Sequence, residues 1–512
     1  MQSFKPKRPS GQMGRALAAS FFVAMGTVQM PCALAQTALP TLGDGAEITT
    51  SAERKLGDSI IRELYRDPDY IDDAVLNEYV QGLFRSLVQA AKARGELSSE
   101  LEERFAWDIL LGRDRTVNAF ALPGGYFGVH LGLIAVVGTR DELASVLAHE
   151  LSHVTQRHIA RLIAQQGRQT PLMLGAMILG ALAASRSPDA AQALMVGGQA
   201  LAVQNQLNFS RDMEREADRV GYGLMAPAGF APQGFVSMFD KLQQANRIND
   251  NGSWPYLRSH PLTTQRIADM HSRVGSDAAK PAPATLEHVM MSARARVLMR
   301  PGVDAWRQWV AEPQDAGFAA RPVAQRVAAR YAAALSALQL QDMDAARKAL
   351  RGLQADVQGD AAGARQARLL GAEVELAAGQ PQAALAYLDE ADAQAAARPE
   401  MLLRTQALLR TGRAAEMTGT LQTWVATHPR DAGAWQALSQ AWQQQNQPLR
   451  AVRADAEAQV ARYDYAAAVD RFKAGQDMAR RGGAGFDYIE ASIIDTRLRA
   501  VQSLLKEQAA ER

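Results

Sequence analysis

The hydrophobic positions between Asp141 and Gln165 recur at helical spacing, and neither glycine nor proline interrupts them. The recurring residues are Leu143, Val146, Leu147, Leu151, Val154, Ile159 and Leu162. This periodicity predicts one continuous helix that ends near Gln165. Upstream, apolar faces recur over residues 50–104, which predicts two or three amphipathic helices before this one.

Short apolar stretches between those helices predict a small sheet. Trp107, Ile109 and Leu110 begin a strand that ends before Arg113. Residues 118–129 predict two extended segments around a Pro-Gly-Gly turn, because glycine permits the backbone angles of a tight hairpin. The edge of such a hairpin could bind an extended chain by β-augmentation, but a hairpin that serves only the core fits the spacing equally well.

Residues 171–184 and 191–203 are almost entirely apolar, but each stretch is too short to span a membrane. A core helix is favoured there over a mobile lid or a peripheral contact with a membrane surface. Three further helices are predicted before residue 276: one that ends at Ala226, one that begins after Pro232, and one over residues 263–273.

The composition changes at residues 276–284, where alanine and proline predict a linker. Beyond it the chain is helical and repetitive, with small residues five positions and large residues nine positions after most of the predicted turns between paired helices. Met417 and Asp455 depart from this pattern, so the repeats are degenerate. The turns are placed at Gln341, Gly379, Gly412, Asn446 and Tyr463. Spacings of 33 and 34 residues between the middle turns are typical of tetratricopeptide repeats, about four of which are expected. A plain helical bundle is the alternative.

The first 35 residues predict an export signal. Four basic residues precede residue 16, and the apolar stretch from Ala16 to Val28 follows them. Ala33-Leu34-Ala35 is a small-x-small signal for cleavage before Gln36. The apolar stretch is shorter than the ~20 residues of a membrane span. The residues before Cys32 are a poor match to a lipoprotein signal.

Export changes the charge balance. The whole chain has 56 Lys+Arg and 54 Asp+Glu, a net charge of +2. Residues 1–35 contain four basic and no acidic residues, so the mature chain has 52 against 54, or −2. This near-neutral balance does not indicate a nucleic-acid partner. Cys32 is the only cysteine, so the mature chain can form no disulfide and packing must hold its core.

His149 and His153 lie four residues apart on the predicted helix, so their imidazoles are expected to stack on one face. This spacing allows two ring nitrogens to bind one zinc ion at about 2.0–2.1 Å. Glu150 projects near the same end and can take a proton from a water molecule activated by zinc. A chance His-Glu-x-x-His is expected on the order of once in a hundred such chains.

A third ligand is predicted in the sequence SRDMEREAD. Ser210 can cap a helix on which Glu214 and Asp218 share a face. Glu214 would complete a site of two histidines and one glutamate with an open fourth position, and Asp218 would accept the free N–H of a ligand imidazole. Glu216 lies on another face of that helix. Alone, such carboxylates usually form a solvated helix face, but the paired histidines favour a metal site.

Three other side chains are candidates for the same site. His260 lies in a loop and could reach the open position of the zinc, or it could be an ordinary loop histidine. Arg266 could stabilise an oxyanion, although most arginines in such positions are solvated. Asn118, at the start of the hairpin segment, is the candidate for binding the substrate chain.

The residues HELSHVTQRH from His149, EREAD from Glu214, SHPLTTQR from Ser259 and the trailing repeats resemble the BepA-like family of periplasmic metalloproteases. This family comprises the β-barrel assembly-enhancing proteases, relatives of HtpX and the CaaX prenyl proteases. The resemblance covers nearly the whole mature chain. It implies these roles: zinc ligands His149, His153 and Glu214, catalytic base Glu150, resting-state zinc plug His260 and transition-state contact Arg266.

The expected fold is mainly α, with a zincin-type metalloprotease domain that contains a small β-sheet, followed by a helical tetratricopeptide solenoid. The expected segments are a signal peptide at 1–35, the protease domain at 36–275, a linker with connecting helices at 276–325 and the repeats at 326–512.

The resemblance implies a periplasmic zinc endopeptidase, with a compatible chaperone activity, for unfolded or stalled outer-membrane β-barrel proteins. The repeats are expected to dock on the β-barrel assembly machinery. A chaperone or scaffold with a vestigial metal site is the alternative, and the intact Glu150 argues against it.

Overall fold

The computed structural model describes residues 48–165, 210–247, 254–273, 283–389, 397–481 and 487–510. The predicted signal peptide, the apolar stretches between 171 and 203, and most of the predicted linker lie outside the described residues. No described helix is both long enough and apolar enough to cross a membrane. The described chain is mainly α with one small sheet, which confirms the predicted fold class.

Helices surround the sheet in the part of the chain described up to residue 273. These helices are α1 (Thr50–Arg66), α2 (Ala74–Ala93), α3 (Ser99–Arg104), α4 (Leu131–Val136), α5 (Arg140–Thr155), α6 (His158–Gln165), α7 (Arg211–Met225), α8 (Gln233–Arg247), α9 (Tyr256–Ser259) and α10 (Thr264–Arg273). The strands are β1 (Tyr70–Ile71), β2 (Asp108–Gly112), β3 (Ala119–Leu122) and β4 (Tyr126–His130).

The four strands are ordered β1-β2-β4-β3, so β3 is the terminal strand of the sheet. Strands β2 and β4 are parallel, whereas β1 pairs with β2 and β3 pairs with β4 in antiparallel fashion. The predicted Pro-Gly-Gly hairpin is confirmed between β3 and β4. Gly124 and Gly125 there have φ angles of 76° and 77°, which residues with a Cβ rarely adopt.

Helix α5 is buried along nearly its whole length, from Asp141 to Thr155. It packs against α2, α7, α8 and strand β3. Two glycines allow the close approach of its neighbours. A Cβ on Gly221 of α7 would lie 3.0 Å from the Ala148 carbonyl oxygen, and one on Gly234 of α8 would lie 2.3 Å from the Asp141 carbonyl oxygen. The backbones of α7 and α8 therefore lie almost directly on α5.

The prediction of one continuous helix through Gln165 is wrong, because the helix breaks after Thr155. Helix α6 begins at His158, and Arg157 between them has a left-handed φ of 53°. The Arg157 guanidinium donates a hydrogen bond to the Ile48 carbonyl oxygen at 2.6 Å and pairs with Glu53 at 3.2 Å. These contacts fix the direction in which the chain leaves the break.

The described chain after residue 283 is helical. Its α-helices are α11 (Leu286–Leu298), α12 (Val303–Ala311), α13 (Val323–Gln339), α14 (Met343–Asp356), α15 (Ala361–Ala377), α16 (Pro381–Leu388), α17 (Arg398–Arg410), α18 (Ala415–Thr427), α19 (Ala432–Gln444), α20 (Pro448–Ala461), α21 (Tyr465–Arg481) and α22 (Tyr488–Ala510). Two short 3-10 helices, Glu312–Gln314 and Phe318–Ala320, separate α12 from α13.

The five turns predicted from the repeat pattern all contain a left-handed residue at the predicted position. The φ angles are 61° at Gln341, 71° at Gly379, 76° at Gly412, 53° at Asn446 and 59° at Tyr463. The first four turns join helices from α13 to α20 in consecutive pairs, whereas Tyr463 joins α20 to α21 and so lies between pairs. The small and large residues of the pattern are buried: Ala346, Ala384, Ala451, Ala468, Leu350, Leu388, Leu421 and Phe472.

Ion pairs join the start of α2 to the helices after residue 283. The pairs are Asp72 with Arg398 at 2.8 Å, Asp73 with Arg294 at 2.7 Å, and Glu78 with Arg365 at 2.8 Å. Each arginine also binds a second carboxylate in the C-terminal helices: Arg398 binds Asp431, Arg294 binds Glu373 and Arg365 binds Glu400. These three arginines and their carboxylates are called here the arginine network. The buried apolar core is likewise continuous from Val75 to Ala461. The domain boundaries at 36, 276 and 326 stay predictions.

We expect Gly234→Ala to destabilise the fold. The new Cβ would meet the Asp141 carbonyl oxygen, so α8 would have to move away from α5 and loosen the apolar packing between them. The expected loss is about 1–3 kcal/mol in the free energy of unfolding, measured by urea denaturation. Gly82→Ala in α2 is the control, because a Cβ there meets nothing within 4 Å. Equal stability of the two variants would contradict the close approach of α8.

Candidate metal centre

Helix α5 presents His149 and His153 one turn apart. Their rings do not stack as predicted, because the planes meet at 73° with 4.7 Å between the ring centroids. This edge-on arrangement brings the two Nε2 atoms to 3.0 Å from each other. Both imidazoles therefore direct the same nitrogen towards one point.

Helix α7 and the loop before α10 add two more potential ligands at that point. The predicted cap of α7 is confirmed, since the Ser210 hydroxyl accepts a hydrogen bond from the Met213 amide at 3.2 Å. Glu214, in the first turn of α7, has carboxylate oxygens 3.5 Å from the Nε2 atoms of both histidines. His260 places its Nδ1 3.0 Å from Glu214 Oε1. One ligand atom from each of these four residues lies within 4.8 Å of the others.

Glu150 lies beside this cluster and is almost completely buried. Neither of its carboxylate oxygens makes a hydrogen bond of normal geometry to another described residue. Its Oε1 lies 3.3 Å from Nε2 of His260. Burial raises the pKa of Glu150 above its ordinary value. A buried carboxylate in this situation is suited to accept a proton from a molecule that enters the site.

The outer nitrogen of His149 lies against Asp218. The Asp218 Oδ1 atom is 3.0 Å from Nδ1 of His149, and Arg266 donates to the two oxygens of Asp218 at 2.6 and 2.8 Å. Burial alone would raise the pKa of Asp218, but the Arg266 guanidinium holds it below its ordinary value. Arg266 Nη1 also lies 2.7 Å from Glu214 Oε2 and donates to the Pro261 carbonyl oxygen at 2.9 Å. The guanidinium is therefore engaged on several sides.

The outer nitrogen of His153 lies against another histidine. Nδ1 of His158 is 2.8 Å from Nδ1 of His153, and Nε2 of His158 is 3.1 Å from Glu216. Arg161 donates to the same Glu216 oxygen at 2.7 Å. Burial lowers the pKa of His158 to about 4, so this imidazole is neutral at neutral pH. Sequence reasoning missed His158, because a continuous helix would direct its side chain away from His153.

Asn118 lies immediately before β3 and is buried. Its main-chain oxygen accepts a hydrogen bond from the His130 amide at 3.0 Å, and its side-chain Oδ1 has no hydrogen-bond partner among the described residues. The neighbouring Val117 carbonyl accepts a hydrogen bond from the Tyr256 amide at 3.4 Å. Tyr256 stacks on His260, with ring centroids 4.6 Å apart. The start of the terminal strand therefore lies beside the histidine cluster.

The cluster fits a metal ion. Both α5 imidazoles have their Nδ1 atoms engaged by other side chains, which leaves the two Nε2 atoms facing each other next to a carboxylate. Metal-binding histidines in proteins are typically held in this way, with the outer ring nitrogen bound to a second group. Two imidazoles and one carboxylate are also the donor set of many hydrolytic metal sites.

The proteins that this chain resembles are consistent with a metal site at this cluster. Residues 76–274 match peptidase family M48. The beta-barrel assembly-enhancing protease of Yersinia pestis is 30% identical over 410 residues, which are 80% of this chain and 81% of that protein. The chain belongs to the beta-barrel assembly-enhancing protease family. The Escherichia coli member is 29% identical over 434 residues, 84% of this chain and 85% of that protein. A Vibrio cholerae relative is 36% identical over 291 residues, 54% of this chain and 57% of that protein.

The comparisons confirm two predictions made from the sequence: the resemblance to the β-barrel assembly-enhancing proteases, and the assignment as a metallopeptidase. The matched residues 76–274 contain all of the described cluster. Its paired histidines and Glu214 lie on the helices α5 and α7 that the family match includes. The individual roles of the site residues stay predictions, which the following variants test.

We expect Glu214→Ala to lower the bound metal far below one ion per chain, because two imidazoles alone lack the charge and the third donor. Metal content after dialysis against a zinc-containing buffer is the measurement. Asp212→Ala is the matched control, since Asp212 is an exposed carboxylate in the same turn of α7 and pairs with Arg215 instead of the cluster. It is expected to retain close to one ion per chain. The reverse pattern would contradict the assignment of Glu214.

Proposed function

We propose that this chain is a zinc endopeptidase that works in the periplasm after removal of residues 1–35. The observation that carries the proposal is the convergence of His149, His153 and Glu214 on one point, with Glu150 beside it. In this proposal the two histidines and Glu214 bind one zinc ion. The basic and apolar pattern of residues 1–35 supports export.

Zinc at this position would polarise the scissile carbonyl and lower the pKa of the attacking water. Glu150 takes the proton from that water and delivers it to the leaving amine, as a positioned general base and acid. Asp218 holds the imidazole of His149 through Nδ1, and Arg266 holds Asp218 and Glu214. Arg266 would have to exchange some of these contacts before it could also stabilise a transition state.

The substrate chain is proposed to bind in extended form along β3. A terminal strand has main-chain groups that an extended peptide can pair with, largely independently of sequence. Asn118 is the proposed substrate-binding residue at the start of that strand, and the contact between Val117 and Tyr256 supports its closeness to the catalytic residues.

The relatives are named for their part in β-barrel assembly, so we propose unfolded or stalled outer-membrane β-barrel proteins as substrates. The helix pairs from α13 onward would be the tetratricopeptide repeats that dock on the β-barrel assembly machinery. A cavity of about 590 Å³ among α18 to α22 supports peptide binding there. Trp435, Arg430 and Tyr463 are among the residues that line it. The volume of this cavity lies within the range of ligand pockets in proteins.

His260 is proposed as the fourth ligand of the resting enzyme. Its Nδ1 lies 3.3 Å from Nε2 of His149, and its Nε2 lies 3.3 Å from Glu150. An imidazole in this place would occupy the position of the attacking water and cover the general base. Movement of the loop that carries His260 would then open the site.

We expect Glu150→Gln to reduce the cleavage of unfolded casein by about 10²–10⁴-fold, the range attributable to a general base. Zinc content should not change, because Glu150 is not a ligand in this proposal. Glu63→Gln is the control for the chemical change, since Glu63 is exposed and pairs only with Arg66 among the described residues. Full activity of the Glu150 variant would refute the assignment of the general base, whereas a parent protein that does not cleave casein would favour a chaperone whose metal site is vestigial.

We expect His260→Ala to raise the basal cleavage of casein and of the enzyme itself, because the position of the attacking water becomes free. Zinc content should stay near one ion per chain. The control is His271→Ala, which removes an exposed histidine that pairs with Asp240. An inactive His260 variant that retains zinc would show that His260 takes part in catalysis, and the plug would be refuted.

A further inference from the structure

We propose that His158 and Glu216 position His153 and strengthen its bond to the metal, although neither of them binds the metal. The inference rests on the metal site proposed above, and it adds two positioning residues to that site. Both have direct geometric support, in the contact between the Nδ1 atoms of His153 and His158 at 2.8 Å and the contact of His158 with Glu216 at 3.1 Å.

His153, His158 and Glu216 form a row of hydrogen-bonding groups, and only one arrangement of protons satisfies it when His153 binds the metal. A His153 that binds metal through Nε2 carries its proton on Nδ1 and donates it to Nδ1 of His158. His158 then carries its own proton on Nε2 and donates it to Glu216. Glu216 accepts from His158 and from Arg161 with the same oxygen. Each group in the row therefore fixes the tautomer of the one before it.

The break between α5 and α6 makes this contact geometrically accessible. In a continuous α-helix the fifth residue after His153 would lie about 140° around the axis, because each residue turns by about 100°. The left-handed backbone of Arg157 interrupts the helix, and α6 begins at His158. The imidazole of His158 then lies against that of His153. A left-handed backbone is unfavourable for a residue other than glycine, and the contacts of Arg157 with Ile48 and Glu53 stabilise it here.

The two α5 histidines are thus held in related but unequal ways. His149 reaches a carboxylate directly, and the Asp218–Arg266 pair behind it is buried. His153 reaches its carboxylate through a second imidazole, and the Glu216–Arg161 pair has side chains that are 32% and 37% exposed. A polarising carboxylate close to the surface can therefore influence the metal affinity from outside the site.

The test measures zinc affinity by competition with a chelating dye on the full-length protein. We expect His158→Phe, which keeps the ring shape but removes the acceptor, to weaken zinc binding by about 10–100-fold. His158→Asn should restore part of the affinity, since its amide oxygen can take the place of Nδ1. Glu216→Gln should weaken binding less than His158→Phe. In the cobalt-substituted protein, the visible absorption of His158→Phe should shift and that of His158→Asn should return towards the parent spectrum.

The control is His271→Phe, which removes an imidazole paired with Asp240 at the surface and should leave both the affinity and the spectrum unchanged. Zinc affinity of His158→Phe equal to that of the parent would overturn the inference. Equal affinities of His158→Asn and His158→Phe would also overturn it, because a merely structural role would not respond to the acceptor. If His158→Phe does not fold, an unchanged affinity of Glu216→Gln overturns the inference. A parent protein that binds no zinc would instead refute the proposed function.

Discussion

His149, Glu150 and His153 on α5 lie in the interior of the protein and are at most 2% exposed. Because these ionisable side chains are removed from water, the neighbouring elements must supply their polar partners. Isolated charges in such surroundings are very costly, so they require partners with suitable geometry. The partners come from α7, from α6 and from the loop before α10. The close helix contacts at Gly221 and Gly234 let these elements reach α5, and the packing of the fold therefore depends on the same helix as its chemistry.

The closeness of His149 and His153 could be predicted from the sequence, because a helix brings residues four positions apart onto one face. Glu214 lies on another helix, and it was singled out as the carboxylate that could complete a donor set of two histidines and one glutamate. The structure brings these three side chains together, while their roles as ligands stay predictions. The break at Arg157 could not be predicted in this way. Apolar residues continue across it with the same period, and an arginine gives no compositional signal for a left-handed backbone. The contacts of His158 depend on that break and were missed for the same reason.

The turns of the C-terminal helices were accessible to sequence reasoning, since small and large buried residues recur at fixed distances from each turn. Even the non-glycine positions Gln341 and Asn446 were found through this pattern. The contacts of the arginine network were not accessible. Arginines on a helical surface are usually solvated, and their partners at the start of α2 lie more than two hundred residues away in the sequence.

The arginine network also limits how this architecture can change over evolutionary time. Arg294, Arg365 and Arg398 all meet carboxylates in a short stretch at the start of α2, and α2 itself packs against α5. A C-terminal half taken from a relative without matching arginines would leave these carboxylates facing the wrong surface. The two halves therefore cannot be exchanged as independent modules, and a viable chimera would have to carry Asp72, Asp73 and Glu78 across together with the helices that bind them.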